Sequence, residues 1–469
     1  MSNTDTTKAR PHILVFPYPA QGHMLPLLDL THQLALQGLP ITILVTPKNL
    51  SNLKPLLSAH PHNIQTLVLP LPSHPKLPPG VENVSQMGIA GNSSLLSALS
   101  KLHDPITEWF KSHPSPPVAI ISDLFLGWTH QLALHLGVKR IAFYCCGAFS
   151  SAVAHYCWEN IQAVKSTRVF EFSEIPGSPT FKEEHLSSAF RRYRGSDPDE
   201  VIFKESFIAN NLNWACIVNS FEAMEGPYLD YLRRKVGHQR VFGVGPLSLR
   251  SIDNGMDRGD VDPEVKCNVF KWLDQCEDES VLYVCFGSQK MLKREQMEAL
   301  ANGLERSKTR FIWVVKVGMI QQQDNGYGMV PDGFEDRVSG RGLVIRGWVP
   351  QVAILNHRAV GGFLCYCGWN SLMEGIVGGA RILGWPMEAD QFFNAKLVEE
   401  LGVAVRVCEG PDAIPDPDKL SRAVIELFSE NSDQTVRTKA LRDEAIKAMS
   451  NEGSSSKEFE ELLKELAQL

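Results

Sequence analysis

The stretch HILVFPYPAQGHMLPLLDLTHQLALQGLPITILV, residues 12 to 45, decides the fold class. It begins and ends with short runs of Ile, Val and Leu, which are typical of buried β-strands. Between these runs Leu27, Leu30 and Leu34 recur close to the helical period, and Gly38 is suited to end the helix. A strand, a helix and a second strand in this order predict a right-handed βαβ unit and a parallel sheet.

The same alternation continues along the chain in two series. Further apolar runs that read as strands lie at 65–71, 118–124 and 140–145, and then at 280–288, 310–316, 342–349, 361–367, 381–386 and 403–407. We therefore expect an α/β protein with two doubly wound, Rossmann-like domains that face a central cleft. Ligands of such sheets bind beyond the carboxyl ends of the strands. Residues 72–93 are rich in Pro, Gly, Ser and Asn, which predicts a long loop with a binding role.

A polar segment separates the two series. Residues 248–266, SLRSIDNGMDRGDVDPEVK, have linker composition and no apolar period. We place an N-terminal domain at 1–247 and a C-terminal domain at 267–453. In the remaining segment, 454–469, Phe459, Leu462, Leu463, Leu466 and Leu469 form the apolar stripe of a helix that we expect to dock across the domains.

Composition excludes several classes of function. The 46 Lys and Arg against 53 Asp and Glu give a net charge of −7, which offers no reason to bind nucleic acid or an anionic membrane. The chain shows no targeting segment and no run of ~18 apolar residues, so we expect a cytoplasmic protein without stable membrane insertion, and a monomer. The ten cysteines lack CxxC-type pairs, which argues against a metal site.

Two residues are candidates for acid–base chemistry. His23 follows the first strand and Asp123 ends the fourth, and these strands are neighbours in the common order 3-2-1-4-5. A carboxylate beside an imidazole fixes its tautomer and stabilises the cation that forms when it accepts a proton. Two simpler interpretations stay open: a lone histidine is more often structural, and Asp123 can cap the helix that follows it.

The second series carries a more specific pattern. Residues 348–391, WVPQVAILNHRAVGGFLCYCGWNSLMEGIVGGARILGWPMEADQ, resemble the signature box of plant secondary-product UDP-glycosyltransferases along their whole length. PAQGH, ISDLFLGW, RIAFYCCGAF, IVNSFEAME, VGPL and VCFGSQ also resemble that family, so the resemblance covers nearly the whole chain. It implies a GT-B fold, a UDP-sugar donor as co-substrate, no other cofactor, and inverting transfer without a metal. It also implies that the N-terminal domain binds the acceptor and the C-terminal domain binds the UDP-sugar.

The resemblance also assigns donor-site residues, which are Ser288, Trp348, Val349, Gln351, Tyr366, Gly368, Trp369, Asn370, Ser371, Glu374, Asp390 and Gln391. Their chemistry suits these roles: Trp348 offers a flat face to uracil, and Gln351 and Glu374 can bind ribose hydroxyls. The diphosphate would lie on backbone N–H groups where a helix begins around Asn370 and Ser371. Asp390 and Gln391 are expected to bind the sugar, with Trp369 beside it. Both tryptophans also admit an interpretation as core aromatics.

The chain departs from the family at two positions. Where the family has a histidine that contacts the donor phosphate, this chain has Tyr366, a phenol that is uncharged at neutral pH. Arg381 replaces a residue that is usually apolar. We infer a weakened or altered donor site, which keeps open the alternative of a sugar-nucleotide-binding protein with impaired turnover.

The predicted function is transfer of a hexose, glucose first, from a UDP-sugar to a hydroxyl of a small phenolic or flavonoid-like acceptor. His23 would act as the base and Asp123 would support it, while Met87, Phe125 and Phe149 are candidate acceptor contacts. Rhamnose, galactose or xylose as the sugar, and transfer to carbon or nitrogen, are alternatives. A nicotinamide oxidoreductase is disfavoured, because the chain lacks GxGxxG and has Thr46 where an acidic residue is needed.

Overall fold

The structure is a computed structural model that describes residues 10–87, 91–249, 262–316, 326–429 and 432–469. The chain forms two parallel sheets, each covered by helices. The strands of both sheets are mostly buried, and their apolar side chains form the core together with those of the covering helices. This is the α/β architecture that the sequence predicts.

The strands of the first half are β1 (Ile13–Phe16), β2 (Ile41–Val45), β3 (Ile64–Val68), β4 (Ala119–Asp123), β5 (Lys139–Tyr144), β6 (Val169–Glu171), β7 (Thr180–Lys182), β8 (Ala215–Val218) and β9 (Val241–Gly243). Seven of them form a parallel sheet in the order β3-β2-β1-β4-β5-β8-β9, and β6 and β7 form an antiparallel hairpin. The five predicted strands of this sheet are confirmed, and β1 lies between β2 and β4 as the strand order required. The sequence analysis missed β8 and β9, since runs of four and three residues show no usable periodicity.

The helices of the first half are α1 (Gln21–Leu36), α2 (Lys54–Ala59), α3 (Asn92–Ser100), α4 (His103–Ser112), α5 (Thr129–Leu136), α6 (Ala148–Glu159), α7 (Ile161–Lys165), α8 (Ser188–Arg192), α9 (Pro198–Ile208) and α10 (Glu222–Val236). The predicted helix α1 is confirmed, and Gly38 adopts the left-handed conformation just after it, with a φ of 76°. The predicted loop 72–93 contains a short 3₁₀ turn at Val84–Gln86, and its residues 88–90 lie outside the described residues.

The strands of the second half are β10 (Val281–Cys285), β11 (Arg310–Val315), β12 (Gly342–Arg346), β13 (Val360–Cys365), β14 (Arg381–Gly384) and β15 (Ala404–Arg406). They form a parallel sheet in the order β12-β11-β10-β13-β14-β15, which confirms the six predicted strands. The helices are α11 (Pro263–Leu273), α12 (Arg294–Ser307), α13 (Phe334–Arg337), α14 (Gln351–Leu355), α15 (Trp369–Gly378), α16 (Gln391–Glu400), α17 (Pro417–Leu427), α18 (Asp433–Met449) and α19 (Ser454–Leu466).

The predicted linker 248–266 needs one correction. Its residues 250–261 lie outside the described residues, but α11 already begins at Pro263. The helix starts there because the Asp262 side chain accepts the N–H of Glu264 at 2.8 Å and proline suits the first helical position. The segment 263–266 is therefore helical.

The C-terminal helices return to the first half of the chain. Helix α18 packs against both α15 and α10, and α19 packs against β9. The Ser455 hydroxyl donates to the Gly245 carbonyl at 2.6 Å, and Phe459, Leu462 and Leu466 are buried. None of the described helices is long and apolar enough to cross a membrane.

Arg381 is buried in the second half although it stands at a strand position. Its Nε donates to the Gly361 carbonyl at 2.9 Å, and its guanidinium lies 5.1 Å from the centre of the Phe428 ring. Burial lowers the pKa of Arg381. The side chain thus fills a structural role away from the cleft.

Candidate active site

Two cavities lie at the carboxyl edges of the two sheets. The first, which we call the aromatic cavity, has a volume of about 460 Å³ and is lined by His23, Phe125, Trp158, Phe190, Phe203 and Phe207 among others. The second, which we call the tryptophan cavity, has a volume of about 480 Å³ and is lined by Trp348, Gln351 and Glu374 among others. Gly22, Ser288, Tyr366 and Asn370 line both cavities. The two cavities therefore meet at these four residues.

His23 and Asp123 are brought together as the strand order requires. Strand β1 pairs with β4 in parallel, with Phe16 opposite Ser122, so the next residues of both strands leave the sheet side by side. The Nδ1 of His23 lies 2.9 Å from Oδ2 and 3.1 Å from Oδ1 of Asp123. Asp123 is completely buried, whereas the His23 side chain is 19% exposed and lines the aromatic cavity.

This contact determines which nitrogen of His23 faces the cavity. Because a carboxylate accepts hydrogen bonds, the proton belongs on Nδ1, and Nε2 is left as an acceptor. Within the described part of the chain, Nε2 has no hydrogen-bond partner. The Phe125 and Tyr18 rings pack against the imidazole at 4.5 and 5.4 Å between ring centres and restrict its orientation.

Asp123 also has the structural role that the sequence left open. Its Oδ1 accepts the N–H of Phe125 at 2.9 Å, so the carboxylate caps the short turn that follows β4. Nearby, Arg140 donates to Ser122 and Thr129 at 3.0 and 2.8 Å. Burial lowers the pKa of Arg140 to about 10, which leaves it charged at neutral pH. The capping role and the contact with His23 are compatible, and both hold the carboxylate in place.

A third side chain approaches the imidazole. The Sγ of Cys145 lies 3.2 Å from Nδ1 of His23, so the potential ligand atoms of His23, Asp123 and Cys145 form one cluster. Burial raises the pKa of the Cys145 thiol well above its ordinary value. Burial therefore favours the protonated thiol over the thiolate at this position.

The predicted acceptor contacts divide into two groups. Phe125 lines the aromatic cavity. Phe149 and Met87 do not: Phe149 is buried against Tyr228, with 4.7 Å between ring centres, and Met87 packs against Gly91. The aromatic cavity is bounded by other residues of α6, α8 and α9, which the sequence analysis missed.

The predicted nucleotide residues surround the tryptophan cavity. Trp348 is 39% exposed on its wall, so it is available as a stacking surface rather than a core aromatic. The Gln351 Nε2 donates to Glu374 at 2.8 Å and to the Ser371 hydroxyl at 3.1 Å. Val349 also lines this cavity. The tryptophan and these polar groups therefore line the same cavity.

Helix α15 begins where the two cavities meet. Gly368 precedes its first residue, and the Asn370 amide donates to the Gly22 carbonyl of the first half at 2.6 Å. Trp369 is buried, and its indole N–H donates to the Asn219 carbonyl at 2.8 Å. Trp369 thus acts as a structural aromatic and a cavity wall at once, since it also lines the aromatic cavity.

Tyr366 separates the cavities. A Cβ added at Gly287 or Gly368 would lie 2.6 or 2.5 Å from the phenol ring, so the ring fills the space between two positions that only glycine can occupy. Burial raises the pKa of Tyr366 above its ordinary value, and the phenol stays neutral. The next residue, Cys367, has a left-handed φ of 62°, a strained conformation of the kind that clusters at functional sites.

Asp390 and Gln391 line the aromatic cavity rather than the tryptophan cavity. The Gln391 Oε1 accepts the N–H groups of Met387 and Glu388 at 2.9 and 3.0 Å. The Asp390 carboxylate accepts the Asn394 amide at 2.9 Å, and burial raises its pKa. We call residues 387–391 the sugar loop, after the role that the sequence predicts for it.

Lys316 was not predicted. It follows β11 and lines the tryptophan cavity, and burial lowers its pKa. No local sequence pattern marks a lysine after a strand as a binding residue. Only the order of the strands in the sheet brings Lys316 to the cavity.

Comparison with known proteins identifies the class. Residues 11–249 match the family described as "Glycosyltransferase, N-terminal domain", and residues 253–431 match "UDP-glucoronosyl and UDP-glucosyl transferase". UDP-glycosyltransferase 89A2 of Arabidopsis thaliana is 50% identical over 97% of this chain and 96% of that protein. Flavonol 3-O-glucosyltransferase UGT89B1, also of Arabidopsis thaliana, is 47% identical over 100% of this chain and 98% of that protein.

Solved structures agree with this result. Arabidopsis thaliana UGT89C1 in complex with UDP-L-rhamnose has 38% identity and a TM-score of 0.81, over 98% of this chain and 100% of that chain. The same protein has been solved with quercetin, at a TM-score of 0.79 over the same shares of both chains.

Two parallel-sheet halves with cavities between their carboxyl edges define a glycosyltransferase of the GT-B fold. The chain belongs to the UDP-glucuronosyl and UDP-glucosyl transferase family and is a UDP-glycosyltransferase.

Proposed function

We propose that this enzyme transfers a hexose, glucose first, from its UDP-sugar to a hydroxyl of a small planar phenol such as a flavonol. The observation that carries the proposal is the His23–Asp123 contact at the wall of the aromatic cavity, next to the residues shared with the tryptophan cavity. The relatives support the acceptor class, since one is named for flavonol glucosylation and another has been solved with quercetin.

In the proposed mechanism the first half supplies the base. The Nε2 of His23 takes the proton of the acceptor hydroxyl, while Asp123 holds Nδ1–H and stabilises the imidazolium that forms. The acceptor oxygen then forms a bond to the anomeric carbon, and the bond from that carbon to the diphosphate oxygen breaks. UDP leaves with the electron pair, and a single displacement of this kind inverts the anomeric centre.

The second half binds the donor. Uracil stacks on Trp348, and the ribose hydroxyls bind Gln351 and Glu374. The diphosphate lies at the start of α15, beside Ser288 and Asn370, where the two cavities meet. The sugar then reaches into the aromatic cavity, where Asp390, Gln391 and Trp369 are available to its hydroxyls.

The departing diphosphate is stabilised by the N–H groups of α15 and by neighbouring hydroxyls, so we propose that the reaction needs neither a metal nor another cofactor. The cytoplasmic location, the monomeric state and the division into domains at 1–247, 267–453 and 454–469 remain predictions from the sequence.

The neutral Tyr366 favours one alternative, a sugar-nucleotide-binding protein with little turnover. A panel of UDP-sugars, offered with flavonols and simple phenols and followed by mass spectrometry, distinguishes the two. When UDP-glucose is the donor, we expect a product whose mass exceeds that of the flavonol by one hexosyl residue, that is, a hexose less one water. Binding of UDP-glucose without product from any acceptor would favour the alternative, and products with rhamnose, galactose or xylose, or with carbon or nitrogen linkages, would revise the donor or the acceptor atom.

A further inference from the structure

Glu388 lies in the sugar loop, two residues before Asp390, but its carboxylate contacts the other half of the chain. The Oε1 accepts the N–H of Ser188 at 2.7 Å, and the Oε2 lies 3.3 Å from the Arg191 guanidinium. Both partners belong to α8. One side chain therefore joins the loop that follows β14 to a helix 200 residues away in sequence.

Helix α8 forms part of the wall of the aromatic cavity. Ser188, Phe190 and Arg192 line this cavity, and so does Glu388 itself. A shift of α8 would therefore change the shape of the space that receives the acceptor.

The same carboxylate also helps to hold the sugar loop. The neighbouring Ala389 has a left-handed φ of 59°, which a residue with a Cβ adopts only when its surroundings hold it there. Its N–H donates to the Oε1 of Glu388 at 3.3 Å, and the N–H of Glu388 donates to the Gln391 side chain at 3.0 Å. The conformation of the loop at Asp390 and Gln391 thus depends on where Glu388 is anchored.

We propose that Glu388 is a positioning residue that couples the acceptor wall to the sugar loop, so that recognition of the acceptor and recognition of the donor sugar depend on each other. This inference rests on the proposed function. Glu388 does not line the tryptophan cavity, so the proposal includes no contact between Glu388 and UDP.

If Glu388 couples the two sites, Glu388→Ala should change some constants and leave others unchanged. The Michaelis constants for the flavonol and for UDP-glucose should both rise about ten-fold, because contacts made by a charged group on both sides are lost. The affinity for UDP, measured by calorimetry, should stay within two-fold, since UDP lacks the sugar. Glu388→Gln keeps an oxygen for the Ser188 N–H but loses the charge, and it should give a smaller rise in both constants.

Glu409→Ala is the matched control. Glu409 also joins the halves, with an oxygen 3.6 Å from His185 Nε2 and another 2.6 Å from Arg406, but it lines neither cavity. It should leave both Michaelis constants unchanged.

A double-mutant cycle with Arg191→Met tests the contact itself. The effects of Glu388→Ala and Arg191→Met on kcat/KM should be smaller in combination than their product. Unchanged Michaelis constants in Glu388→Ala would overturn the proposal, and so would an equal loss of UDP affinity, which would indicate a general disturbance of the fold. If the unmodified protein binds UDP-glucose but transfers nothing, the proposed function itself fails, and the coupling fails with it.

Discussion

The two sheets share the order of their central strands, but their carboxyl edges differ in chemistry. In the first sheet β1 lies between β2 and β4, and in the second β10 lies between β11 and β13. His23 and Ser288 follow the equivalent strands β1 and β10, while Asp123 and Tyr366 stand at the ends of β4 and β13. One edge thus carries a buried carboxylate and an imidazole, and the other carries a hydroxyl and a neutral phenol.

The difference shows how the same order of strands can support two kinds of site, one that accepts a proton and one that binds an anion. A proton-accepting site needs a charge held close to the imidazole, and the first sheet supplies it with Asp123. An anion-binding site needs N–H donors and no carboxylate at the same place, and the second sheet supplies the start of α15. The expected consequence is that mutations at the first edge affect turnover, whereas mutations at the second affect donor binding.

The largest effect is expected at His23. His23→Ala removes the one imidazole among the described residues that line the aromatic cavity, so kcat should fall about 10²- to 10⁴-fold in a steady-state assay. His103→Ala is the control for the loss of an imidazole, because the Nδ1 of His103 also lies 2.9 Å from a carboxylate, that of the exposed Asp104, but outside both cavities. Near-normal turnover in His23→Ala would show that His23 is not the base.

Asp123→Ala should lower kcat by as much as His23→Ala or less, because it removes the group that stabilises the imidazolium. If the two residues act as a unit, the double variant should be little worse than His23→Ala alone. Asp123→Asn, which keeps an oxygen for the Phe125 N–H, separates this effect from the loss of the cap. Full additivity in kcat would show that the two residues have separate roles.

At the second edge, Trp348→Ala should act on the donor instead. Stacking of a base on an aromatic side chain contributes ~1–3 kcal/mol, so the Michaelis constant for UDP-glucose should rise about five- to hundred-fold. The kcat at saturating donor should change by less than about three-fold, because uracil binding is equal in the ground state and the transition state. A variant in which only kcat falls would contradict the assignment of donor binding to the second edge.

Tyr366→His tests how the second edge binds the diphosphate of the donor. An imidazole N–H that can carry charge should bind the diphosphate better than the neutral phenol by ~1 kcal/mol, or about five-fold in donor affinity or turnover. The imidazole ring is also smaller than the phenol that lies between Gly287 and Gly368. If the variant binds UDP-glucose no better, then the tyrosine shapes the pocket for another sugar, and comparing the donor profiles of both proteins would show it.

The smallest effect is expected from removal of metals. Chelation should change kcat by less than about 1.5-fold, because helix N–H groups stabilise the leaving diphosphate. Loss of activity on chelation that Mg²⁺ or Mn²⁺ restores would contradict this prediction and would draw attention to His23, Asp123 and Cys145 as ligands.

The sequence predicted those parts of the fold that have local signals. Strands β1–β5 and β10–β15 were found because each belongs to a run of apolar residues in the sequence. His23 and Asp123 were found because His23 lies at the start of the helix after β1 and Asp123 ends β4. The short strands β8 and β9 were missed. Residues 263–266, the start of α11, were placed in the linker because the sequence before them is charged and rich in Gly and Asp.

The remaining part of the site depends on tertiary packing. Phe190 and Phe203 reach the aromatic cavity from helices that no strand pattern positions, and Ser188 meets Glu388 only because the two halves are packed together. Phe149, which was expected in the cavity, turns instead toward Tyr228. Helical periodicity gives the buried face of a helix, but it does not say whether that face meets a cavity or another helix.

The most direct test of the division between the edges is the affinity for UDP of His23→Ala and Trp348→Ala, measured by calorimetry beside the unmodified protein. His23 lines the aromatic cavity and not the tryptophan cavity, so His23→Ala should bind UDP within two-fold of the unmodified protein. Trp348→Ala should bind it at least about five-fold more weakly. An equal loss of UDP affinity in both variants would contradict the separation of base and donor site between the two sheets.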